Sequence, residues 1–300
     1  MTRKCIVLVT LLSGIFLSAR CPAQQSRQAL QDPEWVKTDA PKKIVYAVPG
    51  MENARIRKVA YKQVGTTALE AVFYSPESLS GHLLPAVIFI HGGPLPANLL
   101  TQPTHWGQYV SYGQLAAASG LIGVTFNHRL YGLDRFPDAE SDLADLIHYI
   151  RQNGVALGID KDHINLWAFS GGGPLLTLAM RESSPYIRCI ISYYALLDPP
   201  SIRKLIPATV SDETLQNFSP FHYLTIAKER MPPIFVARAG LDYPGQNDIV
   251  DRFIQQALSK NLSINVANHP SGHHGFDIAD NDARSREIIQ ATFAFIHAQN

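Results

Sequence analysis

Short, continuously apolar runs recur along this chain at the spacing of buried parallel strands. "PAVIFIHGG", "LIGVTFNH", "INLWAFSG", "RCIISYYA" and "PPIFVARAG" lack the in–out alternation of a half-exposed strand, which marks strands covered on both faces. Before them, "KVAYKQV" and "LEAVFYS" do alternate and suit an antiparallel pair. Between the runs the period changes to that of a helix. In "DAESDLADLIHYIRQNG", Leu143, Leu146, Ile147 and Ile150 share one stripe, with Gly154 as the stop, and Ile289, Phe293 and Ile296 repeat the pattern near the end. Strand–helix alternation of this kind predicts an α/β fold with a doubly wound, mostly parallel sheet and helices on both faces. Two stretches break the rhythm. Residues 24–55 are polar and proline-punctuated and read as an N-terminal arm with a short strand at "KIVYAV"; residues 199–231, with four prolines, are longer than a connection requires and read as a lid-like insertion in a domain of 56–300.

The first residues follow a different logic. Arg3 and Lys4 precede the apolar run "CIVLVTLLSGIFLSA", and Cys21 and Ala23 put small residues at −3 and −1 of a cleavage point. This is the pattern of a secretory signal peptide, residues 1–23, which implies a secreted or periplasmic protein with no stable membrane insertion after cleavage. Cleavage removes three of the 26 basic residues, leaving 23 against 25 acidic ones, a net charge of −2 with no nucleic-acid footprint. It also removes two of the three cysteines. Cys189 then stands alone in an apolar run, so no intramolecular disulfide is expected and the thiol reads as buried and inert.

The chemistry is concentrated where apolar strands end. "LWAFSGGGPLL" runs from strand into Ser170 and three glycines, residues that weaken the interior of either element. A serine at a sharp strand-to-helix turn projects its Oγ from the sheet edge and needs very small residues two before and two after it, here Ala168 and Gly172. The other readings of the run are a helix N-cap and a phosphate-cradling loop, but neither a Walker lysine nor G-x-G-x-x-G spacing is present. "HGGP" at 91–94 ends an upstream strand, where the N–H of Gly92, Gly93 or Leu95 can face an oxyanion together with that of Gly171. Asp242 ends a later strand and can orient an imidazole, with Asp198 and Asp248 as competitors. "NVANHPSGHHGFD" offers His269, His273 and His274 on a loop whose spacing matches no helical zinc pair. Of the adjacent two, His274 is favoured: Gly275 permits close passage of the backbone, and Phe276 can anchor the loop.

With serine, aspartate and histidine at successive strand ends, together with "FPDAESDLADLIHYI", "GIDKDHINLWAFSGG", "SPFHYL" and "ARAGLD", the chain resembles the α/β-hydrolase superfamily. Within it the chain is similar to the dienelactone hydrolase-like and hormone-sensitive-lipase-like esterases, and more weakly to the catalytic domain of prolyl oligopeptidase-type peptidases. The resemblance implies Ser170 as nucleophile, Asp242 as acid and His274 as base. It further implies a small-molecule ester substrate and no cofactor. Two positions depart from the pattern: Ala168 replaces the first glycine of G-x-S-x-G, and Pro94 follows two glycines where many esterases have a third. The remaining readings are a serine peptidase or amidase and a non-catalytic hydrolase-fold binding protein.

Overall fold

The computed structural model describes residues 31–300, apart from 79–80, 183 and 227–230. The expected leader, residues 1–23, lies outside the described residues. The centre of the molecule is an eight-stranded sheet. Its strands are β1 (Arg55–Val64), β2 (Thr67–Ser75), β3 (Leu84–Ile90), β4 (Ile122–Phe126), β5 (Ile159–Phe169), β6 (Ile187–Tyr193), β7 (Ile234–Leu241) and β8 (Ile264–His273). Their order is β1-β2-β4-β3-β5-β6-β7-β8. The β1–β2 and β2–β4 pairs are antiparallel; all the rest are parallel. From β3 the chain first moves to one side, to β4, then crosses to the other, to β5. The strand order reverses there, and such a switch point opens a crevice at the carboxyl ends of the two strands.

Alternation along the central strands divides two cores. Ala86, Ile88 and Ile90 of β3 and Ile164, Leu166 and Ala168 of β5 face one side; Val87, Phe89, Trp167 and Phe169 face the other. The first side is covered by α3 (Phe136–Leu157) and α7 (Gln246–Ser259), the second by α2 (Gly107–Ala118) and α9 (Ala283–Gln299). Leu143, Leu146, Ile147 and Ile150 form the expected buried stripe of α3. The helix nevertheless runs through Gly154 and stops at Gly158, whose φ of 73° is the left-handed cap. Gly154 is small for packing instead: a Cβ there would sit 2.8 Å from the carbonyl oxygen of Ile159.

Among its described residues the arm contains a short helix, α1 (Glu34–Asp39), and a 3₁₀ turn, Met51–Asn53, and "KIVYAV" is not a strand. The segment crosses the second core, with the Ile44 N–H donating to Ser111 Oγ (3.1 Å) and the Val45 N–H to the carbonyl of Asp277 (2.8 Å). The 199–231 excursion begins with a 3₁₀ stretch, Pro199–Leu205, followed by α5 (Asp212–Asn217) and α6 (Pro220–Ile226). Cys189 is fully buried in β6, and burial pushes its thiol well above the usual range, which leaves no thiolate to react.

Candidate active site

Ser170 follows the last residue of β5 with φ 50°, a left-handed conformation rare for a residue with a side chain. The chain then runs as a 3₁₀ stretch, Ser170–Leu176, before α4 (Thr177–Glu182), rather than entering an α-helix at Gly171. Close packing explains the glycines. A Cβ on Gly171 would collide with the carbonyl oxygen of Gly93, one on Gly173 with that of Leu196, and one on Gly172 would lie 2.7 Å from that of His91. The small residue at 172 therefore accommodates the end of β3.

The structure brings together three residues from the ends of β5, β7 and β8. Ser170 Oγ lies 2.8 Å from His274 Nε2, and His274 Nδ1 lies 2.7 Å from Asp242 Oδ1. A carboxylate only accepts, so Nδ1 carries the proton and Nε2 is left to accept from the serine hydroxyl. Asp242 is buried, and its Oδ1 also accepts the N–H of Tyr243 at 2.7 Å. Phe276 is fully buried beneath the histidine loop.

The competing residues are occupied elsewhere. Asp198 accepts from Ser201, from Ser219 Oγ (2.9 Å) and from Arg252 Nη2 (3.1 Å), which ties the excursion to α7. Asp248 lies in the exposed first turn of α7. His269 is buried against Ser285 Oγ (3.0 Å) and Asp282 (3.2 Å). The His273 side chain is 61% exposed and pairs with the Asp280 carboxylate at 3.0 Å, a side-chain partner rather than the loop backbone.

The "HGGP" turn faces Ser170. The Leu95 N–H donates to the carbonyl of Leu130 (2.9 Å) and the Gly92 N–H to the Tyr109 hydroxyl (3.3 Å). Both are thereby withdrawn as free donors. Among the described residues the N–H groups of Gly93 and Gly171 have no such acceptor. Leu130 packs behind Gly93, and its segment is anchored by Asp142, wholly buried, which accepts from Arg129 Nη2 (2.8 Å) and Lys62 Nζ (2.8 Å). Beside the turn, the rings of His91 and His128 stack at 3.5 Å, both fully enclosed. Burial lowers His91 to about 4 and holds His128 well below the ordinary histidine range. Both rings are neutral. This pair, the anchoring of Asp142 and a buried Asp277 carboxylate left no signal in the sequence pattern.

A cavity of about 550 Å³ opens over Ser170, Gly171, Gly93 and His274. Its walls include Leu133, Leu196 and Ile249 from the body, and Ser201, Ile202 and Leu205 from the excursion. A serine hydroxyl hydrogen-bonded to an imidazole, two unengaged backbone N–H groups and an adjoining cavity are the parts that acyl transfer would require.

The fold is that of the α/β-hydrolases. Residues 72–185, which carry "HGGP" and Ser170, match the family described as BD-FAE. The para-nitrobenzyl esterase of Bacillus subtilis is 26% identical over 169 residues, 52% of this chain; the match spans 33% of that esterase's own length. Among solved structures, a thermophilic esterase of Thermogutta terrifontis, Est2 with butyrate bound, superposes with a TM-score of 0.64 at 17% identity, covering 83% of this chain and 95% of that one. The same esterase phosphoramylated by tabun gives 0.65 at 17% identity, covering 83% and 96%. The chain shares its fold with these esterases.

Proposed function

We propose that this protein hydrolyses carboxylic esters through an acyl-enzyme on Ser170. The observation that carries this reading is the Ser170–His274–Asp242 relay, at 2.8 and 2.7 Å, on the floor of the cavity. Ser170 Oγ attacks the ester carbonyl carbon while its proton passes to His274 Nε2. Asp242 holds the imidazole in the required tautomer and stabilises the imidazolium. The negative charge that develops on the carbonyl oxygen is met by the N–H groups of Gly93 and Gly171. The tetrahedral adduct collapses, the C–O bond to the alcohol breaks, and the alcohol leaves with the proton from His274. Water then attacks the acyl carbon with His274 as base, which releases the acid and restores Ser170. The reaction balances with water alone. Support comes from the esterases named above, including a neighbour recorded with butyrate bound.

A fluorophosphonate probe and a panel of esters, with Ser170→Ala as control, test the reading. Covalent labelling and ester turnover that both vanish in Ser170→Ala are expected. A wild-type protein that neither labels nor turns over any ester makes the fold a binding scaffold.

We further propose that residues 1–23 act as a cleaved export leader, supported by the positive start, the apolar run and the small residues at 21 and 23. Intact mass of the exported protein should place Gln24, or its cyclised form, at the N-terminus. Retention of Met1 in a membrane fraction would refute it.

A further inference from the structure

His274 has two tyrosine rings within contact distance, both tilted against the imidazole. That of Tyr194, the residue after β6, has its centroid 4.7 Å from the imidazole; that of Tyr243, the residue after Asp242, lies at 4.6 Å. The two differ in how they are held. Tyr243 is 66% exposed, whereas Tyr194 is buried and fixed on every side. Its φ of 40° lies in the left-handed region, which is strained for an aromatic residue and persists only where surroundings enforce it. The Tyr194 N–H donates to the carbonyl of Ala237 (3.0 Å), and Gln246 Nε2 donates to the carbonyls of Tyr194 (3.3 Å) and Ala195 (2.8 Å).

The hydroxyl of Tyr194 donates to Asp277 Oδ1 at 2.6 Å. Asp277 is fully buried, three residues beyond His274, and its Oδ2 accepts from Tyr112 (2.9 Å) and Gln108 Nε2 (2.8 Å). Burial raises its carboxyl above the ordinary range, and the three donors oppose that shift. This carboxylate exchanges no proton in the hydrolytic steps. It fastens the histidine loop to α2 and to the end of β6.

We propose that Tyr194, locked by the buried carboxylate of Asp277, is a positioning residue for His274, its ring forming the fixed face against which the imidazole shuttles the serine proton. The inference rests on the hydrolase reading above. The imidazole must serve first Ser170 and then the leaving oxygen without losing Asp242, and a rigid ring on one side narrows the angles it samples. The imidazolium that forms stands within the roughly 6 Å over which a ring attracts a cation. That attraction exists only once the charge has developed, so it acts on kcat and leaves KM alone.

The test compares Tyr194→Phe, Asp277→Asn, their double variant and Tyr194→Leu in the full chain, with a short-chain p-nitrophenyl ester and thermal unfolding measured alongside. Tyr194→Phe and Asp277→Asn should each lower kcat about tenfold with KM within about twofold, and the double variant should be no worse than the weaker single one, because both cut the same bond. Tyr194→Leu, which also loses the ring, should fall about 100-fold, so that phenylalanine rescues part of the loss. A folded Tyr194→Phe with wild-type kcat overturns the proposal, as do multiplicative losses in the double variant or losses carried by KM. If Asp277→Asn does not fold, the comparison of Tyr194→Phe with Tyr194→Leu decides alone. Wild type and Ser170→Ala run in parallel: an inert wild type, or an active Ser170→Ala, sinks the hydrolase reading and the positioning role with it. An active wild type, an inert Ser170→Ala and an unimpaired Tyr194→Phe remove the positioning role only.

Discussion

Leu95 donates its backbone N–H to the carbonyl of Leu130 at 2.9 Å, so the glycine turn after β3 is clipped to the segment that follows β4. That clip, with Tyr109 on Gly92, leaves Gly93 as the donor this turn can offer to an oxyanion. The expected outcome is an asymmetry between neighbours. Gly93→Pro, which deletes the N–H, should cost on the order of 100- to 1000-fold in kcat, about 3–4 kcal/mol. Tyr109→Phe, which frees the Gly92 N–H, should leave kcat within a few-fold. Steady-state kinetics on variants that unfold cooperatively decide it; nearly full kcat in Gly93→Pro would exclude Gly93.

Adjacent histidines should behave as opposites. His274→Gln should be nearly as inert as Ser170→Ala, and the double variant scarcely worse than either, because the relay fails as a unit. His273, solvent-facing and paired with Asp280, should tolerate glutamine with most activity retained. The reverse pattern would assign the base to His273.

Acid should destabilise the fold through the stacked histidines. His91 titrates near 4 in the folded chain, against 6.5 as its ordinary value. The unfolded chain therefore binds its proton first, and the stabilisation is complete above about pH 6.5 and lost as pH falls toward about 4. For His91 this amounts to on the order of 3 kcal/mol, and His128 adds a loss of the same sign. Asp277 acts in the opposite sense: its carboxyl is raised, so protonation at low pH relieves part of its burial penalty. Tm should be level from pH 8 to 7 and decline below 6.5, more gently in His128→Gln, which has one such group fewer. A Tm unchanged down to pH 4.5 would mean the pair is not held neutral.

Ile202 and Leu205 reach the cavity from the excursion, so they should set which esters fit. Ile202→Trp should lower kcat/KM for bulky esters by about tenfold relative to small ones, a change of roughly 1–2 kcal/mol in pocket contacts. Leu205→Ala, at an exposed position, should shift the ratio in the opposite direction by a smaller factor. Identical relative kcat/KM across an ester panel would reduce the excursion to a connection.

Much of the architecture is legible in the sequence because strands covered on both faces must be apolar throughout. Ser170 and Asp242 each follow such a strand and stand out as polar residues at its edge, whereas His274 follows the largely exposed β8 and is marked by the Gly275 and Phe276 beside it. Where the pattern misleads, a local signal competes with a distant partner. Gly154 looks like a helix stop, but it packs against Ile159 and leaves the stop to Gly158. "KIVYAV" has strand composition, yet its N–H groups go to Ser111 and Asp277. Nothing local marks Asp277. Its burial depends on Gln108 and Tyr112, 169 and 165 positions away, and no local period encodes that meeting.

Among the described strands β8 pairs with β7 alone, yet His274 directly follows it. The pairing of β3, β5 and β6 does not involve that last strand. In refolding, protection of the central-strand amides should therefore run ahead of returning turnover, and the lag between them would time the closure of a single sheet edge. Returning turnover would then serve as a clock for the docking of β8.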